Sequence, residues 1–367
     1  MGDLADLAAV TGTSPALVTL TLDGLGLADL YRVAVEGASL EVDPAVYARV
    51  AAGRAVVERA LGGERLVYGL NTGVGHLRDA RVSREALMEY QVRLVVGHAC
   101  AIGPALPDAD TRALMLARVS GLARGGSGAH PSAMRALVDM LNAGVHPVVP
   151  EIGSVGASDL MHMAAVALAL VGRGEARYGD ETLPGGEALA RAGLTPYVMQ
   201  PKDGLALISA NGFAIGVGAL AIHEVERVAR LADLAGALTL EAIGANLSPF
   251  EAAVAAAKPV PGQIAAAAYL RELLRGSDLY DPATVVSVQD PLSFRVMPQV
   301  HGALREQIAF ARASVETELN AMDDNPLVLI EDDRMISTGN FHPMALAPAF
   351  DALRVGLAHV GCSPSGA

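Results

Sequence analysis

The sequence contains no tryptophan, only 4% aromatic residues and just two cysteines in 367 residues. Cys100 and Cys362 stand far apart, so neither a disulfide framework nor a cysteine metal site is expected, and a reducing cytoplasm is the simplest setting. Basic residues are also scarce, 27 Lys and Arg against 40 Asp and Glu. With no basic run to meet a phosphate backbone, the composition argues against a nucleic-acid partner. Walker loops, GxGxxG turns and CxxC pairs are missing, which removes nucleotide and zinc chemistry of those kinds. The opening Met1-Gly-Asp-Leu-Ala-Asp6 is acidic where a secretory leader would be basic.

Charge of either sign is thin: 18% of residues are charged and 52% are hydrophobic, against an ordinary charged share of ~25%. Such a chain covers its apolar surface poorly as a monomer, so a large oligomer with buried helix faces, or a membrane, is implied. The run Gly204–Ile222 is about long enough to span a bilayer. It carries Ser209, Asn211 and four glycines, and Lys202 and Asp203 precede it. A buried helix of a large soluble protein is therefore the expectation, with no membrane partner.

What is present is helix. Alanine is abundant, and apolar residues recur at spacings of three and four through Ile222–Ala245 and Ala303–Met322. Asp43-Pro44 and Asp108-Ala-Asp110 read as helix starts, with carboxylates at the cap and in the first turn. The expected fold is all-α, with a loop-rich helical part over residues 1–200 carrying the catalytic loops and a central bundle of long helices over 201–367. Arg177–Leu194 reads as a polar insertion between helices, and a last helix is expected over Pro343–Gly361.

Glycines interrupt the helical pattern in clusters, and polar residues of chemical interest sit beside them. In order these are Tyr68-Gly-Leu-Asn-Thr-Gly-Val-Gly75, Gly97-His98-Ala99, Arg118 with Ser127-Gly128, and Gly153-Ser-Val-Gly-Ala-Ser-Asp-Leu160. Pro201-Lys-Asp-Gly-Leu-Ala-Leu207 with Asn211-Gly212 follows, then Gln289-Asp-Pro-Leu-Ser-Phe-Arg295 with Pro298-Gln-Val300, Asp324-Asn-Pro326 and Gly339-Asn-Phe-His342. This series resembles the aromatic amino acid ammonia-lyase family over nearly the whole chain, and Gly97-His98 is closer to histidine ammonia-lyases than to their phenylalanine and tyrosine relatives.

The resemblance implies an ammonia-lyase/fumarase-like helical fold, a homotetramer, and elimination of ammonia from an aromatic amino acid, histidine favoured, to give an α,β-unsaturated acid. An aminomutase, a catalytically silent oligomer and a lyase-like enzyme working without the family's electrophile are the alternatives it leaves. It implies that Tyr68 removes the β-proton; a free phenol titrates near about 10, so it needs a supporting setting. It implies that Arg295 grips the substrate carboxylate bidentately, that Asn211 and Gln289 stand beside the electrophile, that His98 contacts an imidazole substrate, and that Phe341 packs beside its ring. Each also has a structural reading: a loop-edge tyrosine, an ion pair of Arg295 with Asp290, amides at helix interfaces, a satisfied helix histidine, a core phenylalanine. No metal or dissociable cofactor is implied.

The family's electrophile is a methylidene-imidazolone (MIO) cyclised from Ala-Ser-Gly, and here it would have to form from Ala157, Ser158 and Asp159. Asp159 stands where the family has glycine followed by aspartate. Ring closure carries the amide nitrogen after the serine onto the alanine carbonyl, and a Cβ bearing a carboxylate crowds that turn. The segment alternatively reads as a glycine-rich turn into a helix starting near Asp159. Leu292 stands at a family tyrosine position, and the resemblance implies a further helical part after Ala367 that supplies a glutamate.

Overall fold

The computed structural model describes residues 17–361; the acidic start and Cys362 lie outside the described residues. The chain forms two compact units, one holding 17–217 with 318–342, the other 218–317 with 343–361. A single boundary had been expected after residue 200. The returning segment 318–342 escapes a reading by composition because long-range polar contacts tie it to the first unit. Val328 N–H donates to the Gly126 carbonyl at 2.8 Å, and Arg118 meets both Asp323 and Asp324.

In the first unit, β1 (Leu17–Leu20) and β2 (Ser39–Val42) pair in parallel on either side of α1 (Leu27–Ala34) in the chain. Next comes α2 (Pro44–Gly62), where the Asp43 carboxylate accepts from Ala45 N–H at 2.7 Å and Pro44 takes the first helical position, as the sequence led one to expect. α3 (Leu87–His98) and β3 (Ile102–Ala105) lead to α4 (Asp108–Ala123). From Ala113 to Ala123 every residue of α4 is buried, and α1, α2 and α5 (Pro131–Asn142) pack around it. Alanines and glycine on α4 let those neighbours come close on several sides, which makes it the unit's central helix.

Short strands follow: β4 (His146–Pro147) and β5 (Pro150–Ile152), the latter pairing antiparallel with β3. After α6 (Leu160–Leu170), the segment expected as a polar insertion is a hairpin of β6 (Glu175–Tyr178) and β7 (Glu181–Pro184), followed by α7 (Gly185–Arg191). The apolar run then divides into α8 (Asp203–Ile208), wholly buried, and the start of α9 (Gly212–Ile243), with Ser209 to Asn211 between them. α8 packs against α3 and α6, so the run's first part serves a protein core. β8 (Leu327–Leu329) and β9 (Arg334–Ile336) close this unit.

The second unit is a helix bundle: most of α9, α10 (Ala252–Ala257), α11 (Pro261–Leu273), α12 (Leu292–Arg295), most of α13 (Met297–Leu319) and α14 (Leu346–Gly361). Its core gathers Leu240, Leu247, Phe250, Leu270, Leu274 and Met297. Buried Asp233 on α9 accepts from His301 at 2.6 Å and pairs with Arg305, both on α13. The all-α class expected from the sequence is what the chain adopts, its strands being short and gathered into three pairs and one three-stranded sheet of β4, β6 and β7 among the described residues.

Candidate functional site

The loop between β5 and α6 carries the Ala157-Ser158-Asp159 tripeptide. Gly156 has φ +77° and Ser158 φ +63°, a left-handed turn that an L-residue adopts only when its surroundings hold it there. The holding contacts come from far along the chain. Ser158 N–H donates to the Phe341 carbonyl at 3.0 Å, and Asp159 N–H donates to the Ala210 carbonyl at 2.8 Å. The Asp159 carboxylate accepts from Ala214 N–H, in the first turn of α9, at 2.8 Å. Asp159 also caps α6, its carbonyl receiving Met163 N–H at 3.0 Å. Ser158 and Asp159 are 2% and 1% exposed. Burial pushes the Asp159 carboxyl above its ordinary value, and the Ala214 hydrogen bond offsets part of that rise.

These contacts bring Asn211 and Phe341 to the loop. Asn211 is fully buried, and its N–H donates to the Asp323 carboxylate at 2.8 Å. Asp323 receives Arg118 at 3.2 Å, and the same guanidinium donates to Asp324 at 2.7 Å and to the Ala206 carbonyl. Burial pushes Asp323 up to about 6, with Arg118 pulling against it. Lys202, at φ +76°, donates to the Ser127 carbonyl at 2.6 Å, and burial brings its ammonium down to about 8. Arg118, recognised in the sequence without a role, thus belongs to the buried network that sets the Asn211 backbone, while Ser127 and Lys202 form a buried pair of their own.

Neither amide atom of Asn211 has a hydrogen-bond partner in the folded chain. The amide lies near enough to Glu318 to favour its carboxylate, short of ordinary hydrogen-bond geometry, while burial raises that carboxyl overall. A buried amide without partners is costly unless a bound group satisfies it. His162 lies in the first turn of α6. Its ring stacks on Phe213 at 4.0 Å and one nitrogen meets the Glu151 carbonyl at 3.1 Å, while the buried Nδ1 has no partner. The Asp159/His162 spacing of three was the only signal the sequence offered for this pair; the stack on Phe213 is a tertiary contact.

Tyr68 sits on a separate loop. Its hydroxyl accepts from Gly75 N–H at 3.2 Å, and it lines a cleft of about 510 Å³ together with Arg59, Arg65, Arg334 and Ile336. Ser158, Asp159 and Asn211 do not line that cleft. Tyr90, which the sequence reading passed over, lies beside Tyr68: burial and then the Tyr68 phenol raise its hydroxyl, and the Val74 backbone lowers it. His98 ends α3, half-buried, with Nδ1 2.7 Å from the Leu94 carbonyl one turn back. Among the described residues no hydrogen bond joins Tyr68 or His98 to the Ser158 loop.

In the second unit, Gln289 is exposed, and with its amide turned so that the oxygen faces Arg295 that oxygen accepts from the two terminal nitrogens at 3.0 and 3.1 Å. Asp290, the alternative partner of Arg295, instead accepts from Asn246 N–H at 2.8 Å. Among the described residues no carboxylate lies within ion-pair distance of Arg295, so its guanidinium is free to take an external carboxylate. Leu292 opens α12 with 53% of its surface exposed.

Residues 25–363 match the family model for aromatic amino acid lyase. The chain is 46% identical over 355 residues to the histidine ammonia-lyase of Anaeromyxobacter dehalogenans, covering 93% of this chain and 70% of that one. Among solved structures, the ergothionase of Treponema denticola, an ergothioneine-degrading enzyme, superposes with a TM-score of 0.91 at 30% identity, covering 95% of this chain and 70% of that one. The histidine ammonia-lyase of Trypanosoma cruzi gives 0.86 at 33% identity, covering 95% and 65%.

Proposed function

The chain belongs to the aromatic amino acid lyase family, and on that premise we propose that it is a carbon–nitrogen lyase opening the Cα–N bond of an aromatic amino acid. Histidine-type substrates are favoured, and the product is an α,β-unsaturated acid. The observation that carries this reading is the convergence of three distant motifs. Ser158, Ala210–Asn211 and Phe341 are drawn together by hydrogen bonds of 2.8 and 3.0 Å, around an asparagine amide left unpaired. Arg295, free of acidic partners, is the carboxylate grip, with Gln289 steadying its planar group. Tyr68 is the base, His98 the contact to an imidazole ring, and Phe341 its packing neighbour.

Enzymes of this family use the imidazolone electrophile, and the tripeptide here does not fit its formation. The Asp159 nitrogen, which would close the ring, is bonded outward to Ala210. Its φ of −91° uses none of the freedom a glycine would bring. The carboxylate is fastened to α9 besides. Ser158 is not among the residues lining the cleft that holds Tyr68, which agrees with a homotetramer in which one copy's tyrosine serves another's loop. Exposed Leu231, Leu234 and Leu238 on α9 give such an assembly an apolar face. A cytoplasmic location belongs to the same proposal.

The test is to follow ultraviolet absorbance of the conjugated acid from imidazole-bearing amino acids, free and Nα-alkylated. Wild type is expected to form product and Tyr68→Phe to form none while keeping its oligomeric state. Undiminished turnover by Tyr68→Phe would remove Tyr68 as the base.

A further inference from the structure

We propose that a cavity beside α5 binds one free α-amino acid with an aliphatic side chain, held as an intact zwitterion between Arg135 and Asp139. None of the residues assigned to the lyase site lines this cavity, and the inference is independent of that reading.

The cavity has a volume of about 330 Å³, at the small end of the ~300–1,000 Å³ range of ligand sites. Arg135 and Asp139 both line it and stand four residues apart on α5, so they share one side of the helix. Opposite charges at that spacing often pair, yet these two do not come within ion-pair distance of each other. Among the described residues neither forms an ion pair with any other group. The guanidinium is drawn aside by Tyr47 on α2, lying 4.4 Å from the centre of its ring. Arginine preceding the acid is also the weaker order for a pair on a helix.

The rest of the polar lining is fixed in place. Ser132 donates to the Tyr197 hydroxyl at 3.2 Å, and Tyr197 donates to buried Asp203 at 2.6 Å. Burial and then the Asp203 carboxylate push the Tyr197 phenol far up, so its proton stays committed to Asp203. The Ser132 hydroxyl also lies 2.6 Å from His130 Nδ1. Opposite this edge the wall is aliphatic, with Leu170 and Leu189 buried and Leu194 beside them.

Each charge rejects a ligand that the other would accept. A simple anion drawn to Arg135 meets the Asp139 carboxylate, and a metal ion drawn to Asp139 meets the guanidinium. A zwitterion satisfies both, its carboxylate on the planar guanidinium and its ammonium on the carboxylate. An α-amino acid carries the two groups on one carbon, a span that suits side chains one helical turn apart. Its own side chain then faces Leu170, Leu189 and Leu194. That wall offers an imidazole no hydrogen bond, so an aliphatic amino acid is preferred over histidine.

The test is equilibrium dialysis of L-leucine against the full chain, beside 4-methylpentanoate and 3-methylbutylamine, which each lack one of its charges. A single leucine per chain is expected, with both comparators bound more weakly by about tenfold or more. Arg135→Met and Asp139→Asn should each weaken leucine binding to a similar degree, while Arg295→Met leaves it unchanged. Both α5 side chains are exposed, and circular dichroism confirms that the variants fold. Their product formation should match wild type, which separates this site from the lyase reading. Leucine binding that survives both α5 substitutions, or that Arg295→Met abolishes, overturns the proposal by placing the amino acid elsewhere. Comparators bound as tightly as leucine overturn the zwitterion assignment, and displacement by an equal amount of histidine overturns the aliphatic preference. Absence of saturable binding overturns the site altogether.

Discussion

Two loops of the first unit are built in opposite ways. The Tyr68 loop is tied to itself and its immediate flanks: Gly69 N–H to the Thr72 hydroxyl at 3.2 Å, Gly73 N–H to Ala80 at 2.9 Å, Gly75 N–H to the Tyr68 hydroxyl at 3.2 Å. The Ser158 loop is tied to Ala210, Ala214 and Phe341, none of them local. A loop that closes on itself keeps its conformation as long as its own few residues are kept, so its motif and its chemistry travel together. A loop fastened to distant segments takes its shape from them. Asp159, standing where the family has glycine followed by aspartate, fastens this loop to α9.

The largest effect separating the two loops is in turnover. Tyr68→Phe removes the hydroxyl and little else, so the rate of product formation should fall by roughly 10²–10⁴, with the denaturant midpoint unchanged. A loss below tenfold would mean the locally closed loop does not carry the base.

Next comes stability. Arg118 is 1% exposed and compensates both Asp323 and Asp324. Arg118→Met leaves buried carboxylates without their main partner, and about 3–5 kcal/mol should be lost in urea unfolding. The matching change in the other loop, Thr72→Ala, deletes one hydroxyl with two local hydrogen bonds and should cost about 1–2 kcal/mol. Equal losses would erase the distinction between local and distant support.

The distant network should also confer a pH dependence. Asp323 titrates at about 6 in the folded chain against an ordinary 3.8, because burial disfavours its charge. Between those values the folded protein keeps a proton the unfolded chain has released, so stability falls as pH rises through that window and levels off above it. Asp159, Asp203 and Glu318 are raised in the same direction, so Asp323→Asn should flatten the decline only in part. Unfolding midpoints measured across the window test this, and an unchanged slope would place the titration elsewhere.

The same division sorts what could be read from the sequence. The helix start at Asp43 was legible because a cap is chemistry within one turn; α4 also starts at Asp108 as expected, but Pro107 holds its cap position without a side-chain bond, and Asp108 and Asp110 lie in the first turn. The Tyr68 motif was legible for the same reason. The run Gly204–Ile222, expected as one buried helix, breaks between Ile208 and Gly212, and α9 then continues through the periodic segment to Ile243. The β6–β7 hairpin was taken as an insertion although Gly179-Asp180 at its tip is a turn signal, since four-residue strands carry almost no alternation. The last helix begins at Leu346, three residues after the expected Pro343. Asp159 was flagged as an obstacle to a ring, but its bonds to Ala210 and Ala214, like the His162–Phe213 stack, exist only once α8 and α9 pack behind the loop.

The smallest effect tests whether the two loops differ in their turns as well as in their anchors. Gly75 and Gly156 have φ of +60° and +77°, and a Cβ added at either meets nothing within 4 Å. Each glycine is therefore required only for its left-handed backbone, and Gly75→Ala and Gly156→Ala should each cost about 1 kcal/mol of local strain. Near-equal costs would locate the difference between the loops wholly in their partners, local for one and distant for the other. A markedly larger cost at Gly156 would mean that the turn before Ser158 also bears strain from its distant bonds, and that relaxing it loosens the contacts holding Asp159 in its open conformation.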